Sequence, residues 1–208
     1  YPGELMEDLV ELCREKGIWL ISDETYDRFV YGTDHTSPGS IGDEPPVISL
    51  YSFSKVFGMS GWRVGYMTYP GILNESLLKV QDTTVICPSR ISQRLAYHCL
   101  RDHPDHIGAY LDELDRSRRM LLNWSSSKDD ISAPLPDGAF YFFFEYRGKR
   151  KYRDSMELAE DVYDMTDVLL VPGDPFGASD PPALRISYGN TDPATLKLAL
   201  ERLDGFFN

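Results

Sequence analysis

Two hydroxyls, an amine and a guanidinium fall within twelve residues of this chain. Ser52-Phe53-Ser54-Lys55 is followed by Val56-Phe57-Gly58-Met59-Ser60-Gly61-Trp62 and then Arg63. Hydroxyls and a planar, bidentate arginine are what a dianionic phosphate needs. A lysine beside such a grip is placed for something covalent, an imine formed on a carbonyl carbon. A carboxylate, Asp23, stands 32 positions upstream, where Ser22-Asp23-Glu24 abruptly ends an apolar run.

These groups need elements to hold them. Glu4 to Lys16 carries Leu5, Met6, Leu9, Val10, Leu12 and Cys13 at helical spacing, with Gly17 placed to stop the helix. Ile18-Trp19-Leu20-Ile21 is a short unbroken apolar run, which predicts a strand buried on both faces. Val47 to Tyr51 predicts a second strand, and Arg63 to Tyr69 a third, reached by a tight return through Gly58 and Gly61. In open α/β sheets ligands collect beyond the C-terminal ends of the strands. Asp23 and Ser52 to Lys55 both lie at such ends, so they are expected to face one crevice.

Beyond Pro70, helical patterns run near Leu73 to Val80, Ile91 to Arg101 and His106 to Trp124. A dense apolar strand, Ala139 to Glu145, comes next. It is followed by a basic loop, a helix from Ser155 to Met165, short strands at Val168 to Val171 and Ala183 to Tyr188, and a closing helix from Pro193. This second part reads as α+β. The expected division is residues 1–104 and 105–208.

The formal net charge of −12 argues against a nucleic-acid backbone or an anionic membrane surface as the main partner, because both would be repelled. No long apolar run or secretory leader is seen, which points to a cytoplasmic protein. Cys13, Cys87 and Cys99 are odd in number and embedded in apolar stretches, and are expected to be buried thiols. His103 and His106 flank a proline at a helix start and read as loop rather than metal ligands. The run Arg147, Lys149, Arg150, Lys151 and Arg153 reads as a solvated loop. Taken singly, the site residues also have plainer readings. Lys55 could be a surface lysine, Asp23 a loop acid, Tyr26 a packing residue and Arg185 an outward-facing strand residue.

Taken together, Ser52 to Tyr66 resembles the cofactor-lysine segment of the class I/II aminotransferases, fold-type I enzymes that use pyridoxal 5'-phosphate (PLP). Ser22-Asp23-Glu24-Thr25-Tyr26 resembles that family's Asp-Glu-x-Tyr element. Ala183 to Gly189 resembles its substrate-carboxylate strand, and Pro136 to Tyr141 a pocket-lining segment. The resemblance implies an α/β fold: the C-terminal part of the PLP-binding large domain, with a mostly parallel sheet, plus an α+β small domain. It implies Lys55 as the Schiff-base lysine and proton carrier, Asp23 as partner of the pyridine nitrogen and Tyr26 as donor to the ring's phenolic oxygen. Ser52, Ser54 and Arg63 match phosphate-binding positions, and Arg185 the substrate α-carboxylate fork. The implied activity is transfer of an amino group between an L-amino acid and a 2-oxo acid, in a homodimer. Two other readings stay open: a carbon-sulfur β-lyase with the same cofactor, and a non-catalytic sensing domain of a regulator. The chain opens on Tyr1, after the family's Asn-Pro turn, so the expectation is a fragment lacking the N-terminal half and inactive by itself.

Overall fold

The computed structural model describes residues 1–103, 106–177 and 180–207. It divides into two compact units, Tyr1–Ile107 and Gly108–Asn208. The boundary expected at 104 and 105 falls on residues outside those described.

In the first unit, helix α1 (Gly3–Lys16) buries Met6, Val10 and Cys13, one face at spacings of four and three. Gly17 ends it in the left-handed region at φ 63°, its N–H reaching back to Arg14 and Cys13 carbonyls. Strand β1 (Leu20–Asp23) then pairs in parallel with β2 (Val47–Ser52), Leu20 opposite Val47 and Asp23 opposite Leu50. Parallel neighbours need a long crossover, and residues 24–46 supply it. After β2 come the one-turn helix α2 (Phe53–Val56), a 3-10 turn at Ser60–Trp62, and β3 (Gly65–Thr68), antiparallel to β2. The return, residues 53–64, has only one-turn helices and none long enough to cross the sheet, and β3 pairs antiparallel. Phe53, Met59, Val64 and Ala96 form a small core beneath it, with Phe57 and Cys99 packed alongside. Helices α3 (Asn74–Thr84) and α4 (Arg90–Asp102) complete the unit.

Two expectations are corrected here. The β1 run is not buried on both faces: its residues alternate between half-buried and exposed, and Ile21 is 64% exposed. An apolar run records what a strand can bury, whereas cover has to come from another element, and none among the described residues lies over Ile21. Cys87 is exposed, while Cys13 is buried and Cys99 partly so. It sits in the connection between α3 and α4, where Val85 and Ile86 are also left open.

The second unit is a four-stranded antiparallel sheet in the order β4-β5-β7-β6, formed by Ile131–Ser132, Tyr141–Tyr146, Ala183–Ser187 and Val171–Pro172. Alternation along β5 sends Phe142, Phe144 and Tyr146 inward, where they meet Leu184 and Ile186 of β7. Helices α5 (Gly108–Ser126), α6 (Ser155–Thr166) and α7 (Pro193–Leu203) add Leu114, Leu121, Trp124, Leu158, Val162, Leu196 and Leu200 to the buried set. Phe207 docks edge-on against Trp124 and Phe144, at centroid distances of 5.8 and 5.6 Å. Asp154 and Asp192 cap α6 and α7 by accepting backbone N–H groups of the first turn. The basic loop is surface, with Arg147, Arg150 and Arg153 paired to Glu145, Asp161 and Asp154. No helix among the described residues is long and apolar enough to cross a membrane.

Candidate active site

The parallel register decides where the first unit's polar groups meet. Asp23 lies opposite Leu50, so the chain of β2 runs only two residues further before reaching Ser52 and then α2 with Lys55. The carboxylate and the lysine therefore occupy adjacent strand ends on the same edge of the sheet. Asp23 is held in a local turn: its Oδ1 accepts from the backbone N–H of Thr25 at 3.1 Å and from the Thr25 hydroxyl at 2.5 Å. Its cleft, about 520 Å³, is lined by Leu20, Ser22, Glu24 and His35 among others, whereas Ser52 lines a different cleft with Asp27, Arg28 and Tyr66, so adjacent strand ends do not here amount to the one crevice expected. Ser52 caps α2 by accepting from the backbone N–H of Ser54 at 3.1 Å, so one of the two hydroxyls expected to grip phosphate also shapes the turn that carries Lys55.

Arg63 is brought back to this edge by β3. Ser52 pairs with Gly65, and Phe53 donates to the Val64 carbonyl at 3.4 Å, so the next step of the hairpin places Arg63 beside the start of α2. The approach is close: a Cβ at position 65 would lie 2.6 Å from the Tyr51 carbonyl oxygen, so only glycine fits. Arg63 itself is exposed, adopts the left-handed region at φ 49°, and donates from Nη1 to the Ser60 carbonyl at 2.9 Å. Tyr26 stands on the turn after β1, its ring edge-on to the buried Phe29 at 6.0 Å. Burial raises the Asp27 carboxyl above its ordinary range, against the opposing pull of Arg28 and His35.

The seventh predicted residue, Arg185, belongs to the second unit. It stands on β7 opposite Phe143 of β5 and Val171 of β6, on the face away from the packed core. Its guanidinium lies between two rings, 4.5 Å from the Tyr141 centroid and 4.7 Å from that of Phe176. Its Nε is buried and has no hydrogen-bond partner among the described residues. A buried N–H of a permanently charged group costs free energy when no acceptor meets it.

The class I and II aminotransferase family model matches residues 1–203 of this sequence. The chain belongs to that family. It is 30% identical to an aromatic aminotransferase of Arabidopsis thaliana over 97% of its own length and 50% of that protein, and 30% identical to an aspartate aminotransferase of Thermotoga maritima over 100% and 52%. Among solved structures it superposes on an alanine aminotransferase from Pyrococcus furiosus with a TM-score of 0.89 at 29% identity, covering 99% of this chain and 53% of that one. An aspartate aminotransferase from Rhizobium meliloti gives 0.88 at 29%. The aminotransferase fold, fold-type I, thus holds over the span present, with a mixed α/β part and an α+β part. The chain spans about half the length of the curated aminotransferases it matches.

Sequence reasoning assigned no role to Glu24. In this aminotransferase chain it is 3% exposed and is the polar hub behind the β1 end. Its Oε1 accepts from the hydroxyls of Ser22 at 3.0 Å and Ser37 at 2.8 Å, and its Oε2 lies 2.5 Å from Nε2 of His35. Glutamate is usually a surface residue, and its three partners come from both sides of a loop, so no local spacing announces the cluster. The two rings around Arg185 had a partial signal, since Tyr141 falls in the segment read as lining the pocket. Phe176 had none. His106, set aside as a loop residue, stacks on Phe57 at 4.5 Å.

Proposed function

We propose that this chain carries the lysine-bearing part of a PLP-dependent aminotransferase, which transfers an amino group between an L-amino acid and a 2-oxo acid. The observation that supports it most is the shared strand edge: Asp23 at the end of β1 and Ser52, Ser54 and Lys55 beyond the adjacent end of β2, with Arg63 returned beside them. The donor set fits the cofactor chemically. Ser52, Ser54 and Arg63 would hold its phosphate, Asp23 its pyridine N–H and Tyr26 its phenolic oxygen. When bound, PLP supplies an electron sink for breaking a bond at the substrate's Cα.

The chain's own residues do the rest. Lys55 would hold the cofactor through its amine and would carry the proton at Cα as base and then acid. The Asp23 carboxylate keeps the partner nitrogen protonated. In the second unit Arg185, its Nε without an acceptor among the described residues, would bind a carboxylate. We also infer a homodimer, because apolar surface is left open at Ile21, Ile72, Ile86 and Ile91, 64 to 82% exposed.

The test is spectroscopic. Adding PLP to the intact chain should produce an absorbance band near the visible edge, absent in Lys55→Ala. An identical spectrum for the two proteins refutes the assignment of Lys55.

A further inference from the structure

We propose that Glu24 is a positioning residue that locks the two strand ends of the candidate site to each other. The proposal rests on the aminotransferase reading for its catalytic meaning, and on the hydrogen-bond network for its substance.

Glu24 follows Asp23 directly and its own backbone continues the sheet, its N–H donating to the Leu50 carbonyl at 2.8 Å. The side chain turns into the protein and collects Ser22, Ser37 and His35. Ser37 has one hydroxyl hydrogen, and it goes to the carboxylate. The contact between Ser37 Oγ and the Tyr51 hydroxyl, 3.3 Å, is then donated by Tyr51. A directed chain results, Tyr51 to Ser37 to Glu24, in which each bond polarises the next. Tyr51 is the residue immediately before Ser52, and its ring is stacked on Tyr66 of β3 at 4.7 Å.

The network therefore joins all three strands where the site residues leave them. Through Ser22 and its own backbone it fixes the end of β1, and with it Asp23. The Asp27 N–H donates to the Glu24 carbonyl at 3.1 Å, so the turn bearing Tyr26 starts from the same residue. Through Tyr51 it fixes the end of β2, hence α2 and Lys55. Nothing in this role requires Glu24 to touch substrate or cofactor. A buried carboxylate has to be hydrogen-bonded to be tolerated, and one of the residues that satisfy this one, Ser37, also carries the link to β2.

Two substitutions test it on the full 208-residue chain. Glu24→Gln keeps the volume but sets an amide against the serines or His35, and Ser37→Ala removes the bridge to Tyr51 while leaving Glu24 in place. Both should weaken PLP binding roughly tenfold, the cost of one bond to a charged group, while the Lys55 band still forms at saturation. Without any cofactor, backbone amides at 22–29 and 50–55 should exchange with deuterium faster in both variants. Amides of α5 to α7 should be unchanged. Exchange that quickens only beside the substituted residue, or a PLP affinity unaltered in both variants, overturns the proposal. If the unsubstituted chain gives no Lys55 band, the aminotransferase reading fails, and the exchange pattern still decides whether Glu24 holds the strand ends.

Discussion

Replacing Arg185 by methionine should separate ligand binding from stability in the second unit. The guanidinium makes two ring contacts, with Tyr141 and Phe176, each worth about 0.5–1 kcal/mol and together about 1–2 kcal/mol in favour of the native chain. Against this stands a buried Nε without an acceptor among the described residues, at a cost of about 1–3 kcal/mol. Methionine removes both contributions and refills the slot between the rings with an unbranched thioether that packs well on aromatic edges. The expected net change runs from about 1 kcal/mol of destabilisation to about 2 kcal/mol of stabilisation, so the melting temperature of a unit this size should fall by no more than about 8 °C and can rise. Binding of a 2-oxo acid such as pyruvate should nevertheless weaken by about one to two orders of magnitude, because a charge-assisted fork is lost. Calorimetric melting and ligand titration of the two proteins measure both quantities. A variant that melts much lower yet binds pyruvate as before would show that Arg185 is a packing residue and refute the reasoning.

Asp204 accepts from Lys128 at 2.8 Å and from the indole N–H of Trp124 at 2.9 Å, and these bonds, that of Lys128 first, hold its carboxyl below the usual range. A carboxyl with a lowered folded pKa adds stability above its unfolded pKa and loses it as pH falls through the folded value. Asp204→Asn should therefore be less stable at neutral pH, by only about 0.2–1 kcal/mol because the carboxylate is half exposed, and the difference should close below the ordinary carboxylate range. A gap in melting temperature that stays constant down to strongly acid pH would contradict this. For the homodimer, light scattering at micromolar concentration should give twice the 23.7 kDa chain mass, and a monomer at every concentration would count against it.

The first-unit candidate residues were legible because their pattern is local. Ser52, Ser54, Lys55 and Arg63 sit in one short segment whose glycines and hydroxyls set its turns, and Asp23 ends an apolar run that any reading of strands would find. Helices α1 and α6 were equally plain, since burial at three- and four-residue spacing is written in the order of the side chains. What the sequence by itself determined about this protein was therefore its family, its alternation of elements and the list of groups able to do chemistry. Only the tertiary structure decided that Asp23 and Lys55 share an edge, because strand register is set by pairing between segments far apart in the chain. It alone revealed the burial of Glu24 and the two rings around Arg185, for the same reason: a side chain's surroundings come from whatever the fold packs against it. Ile21 marks the converse, an apolar residue on a strand whose cover depends on an element that its own sequence does not name.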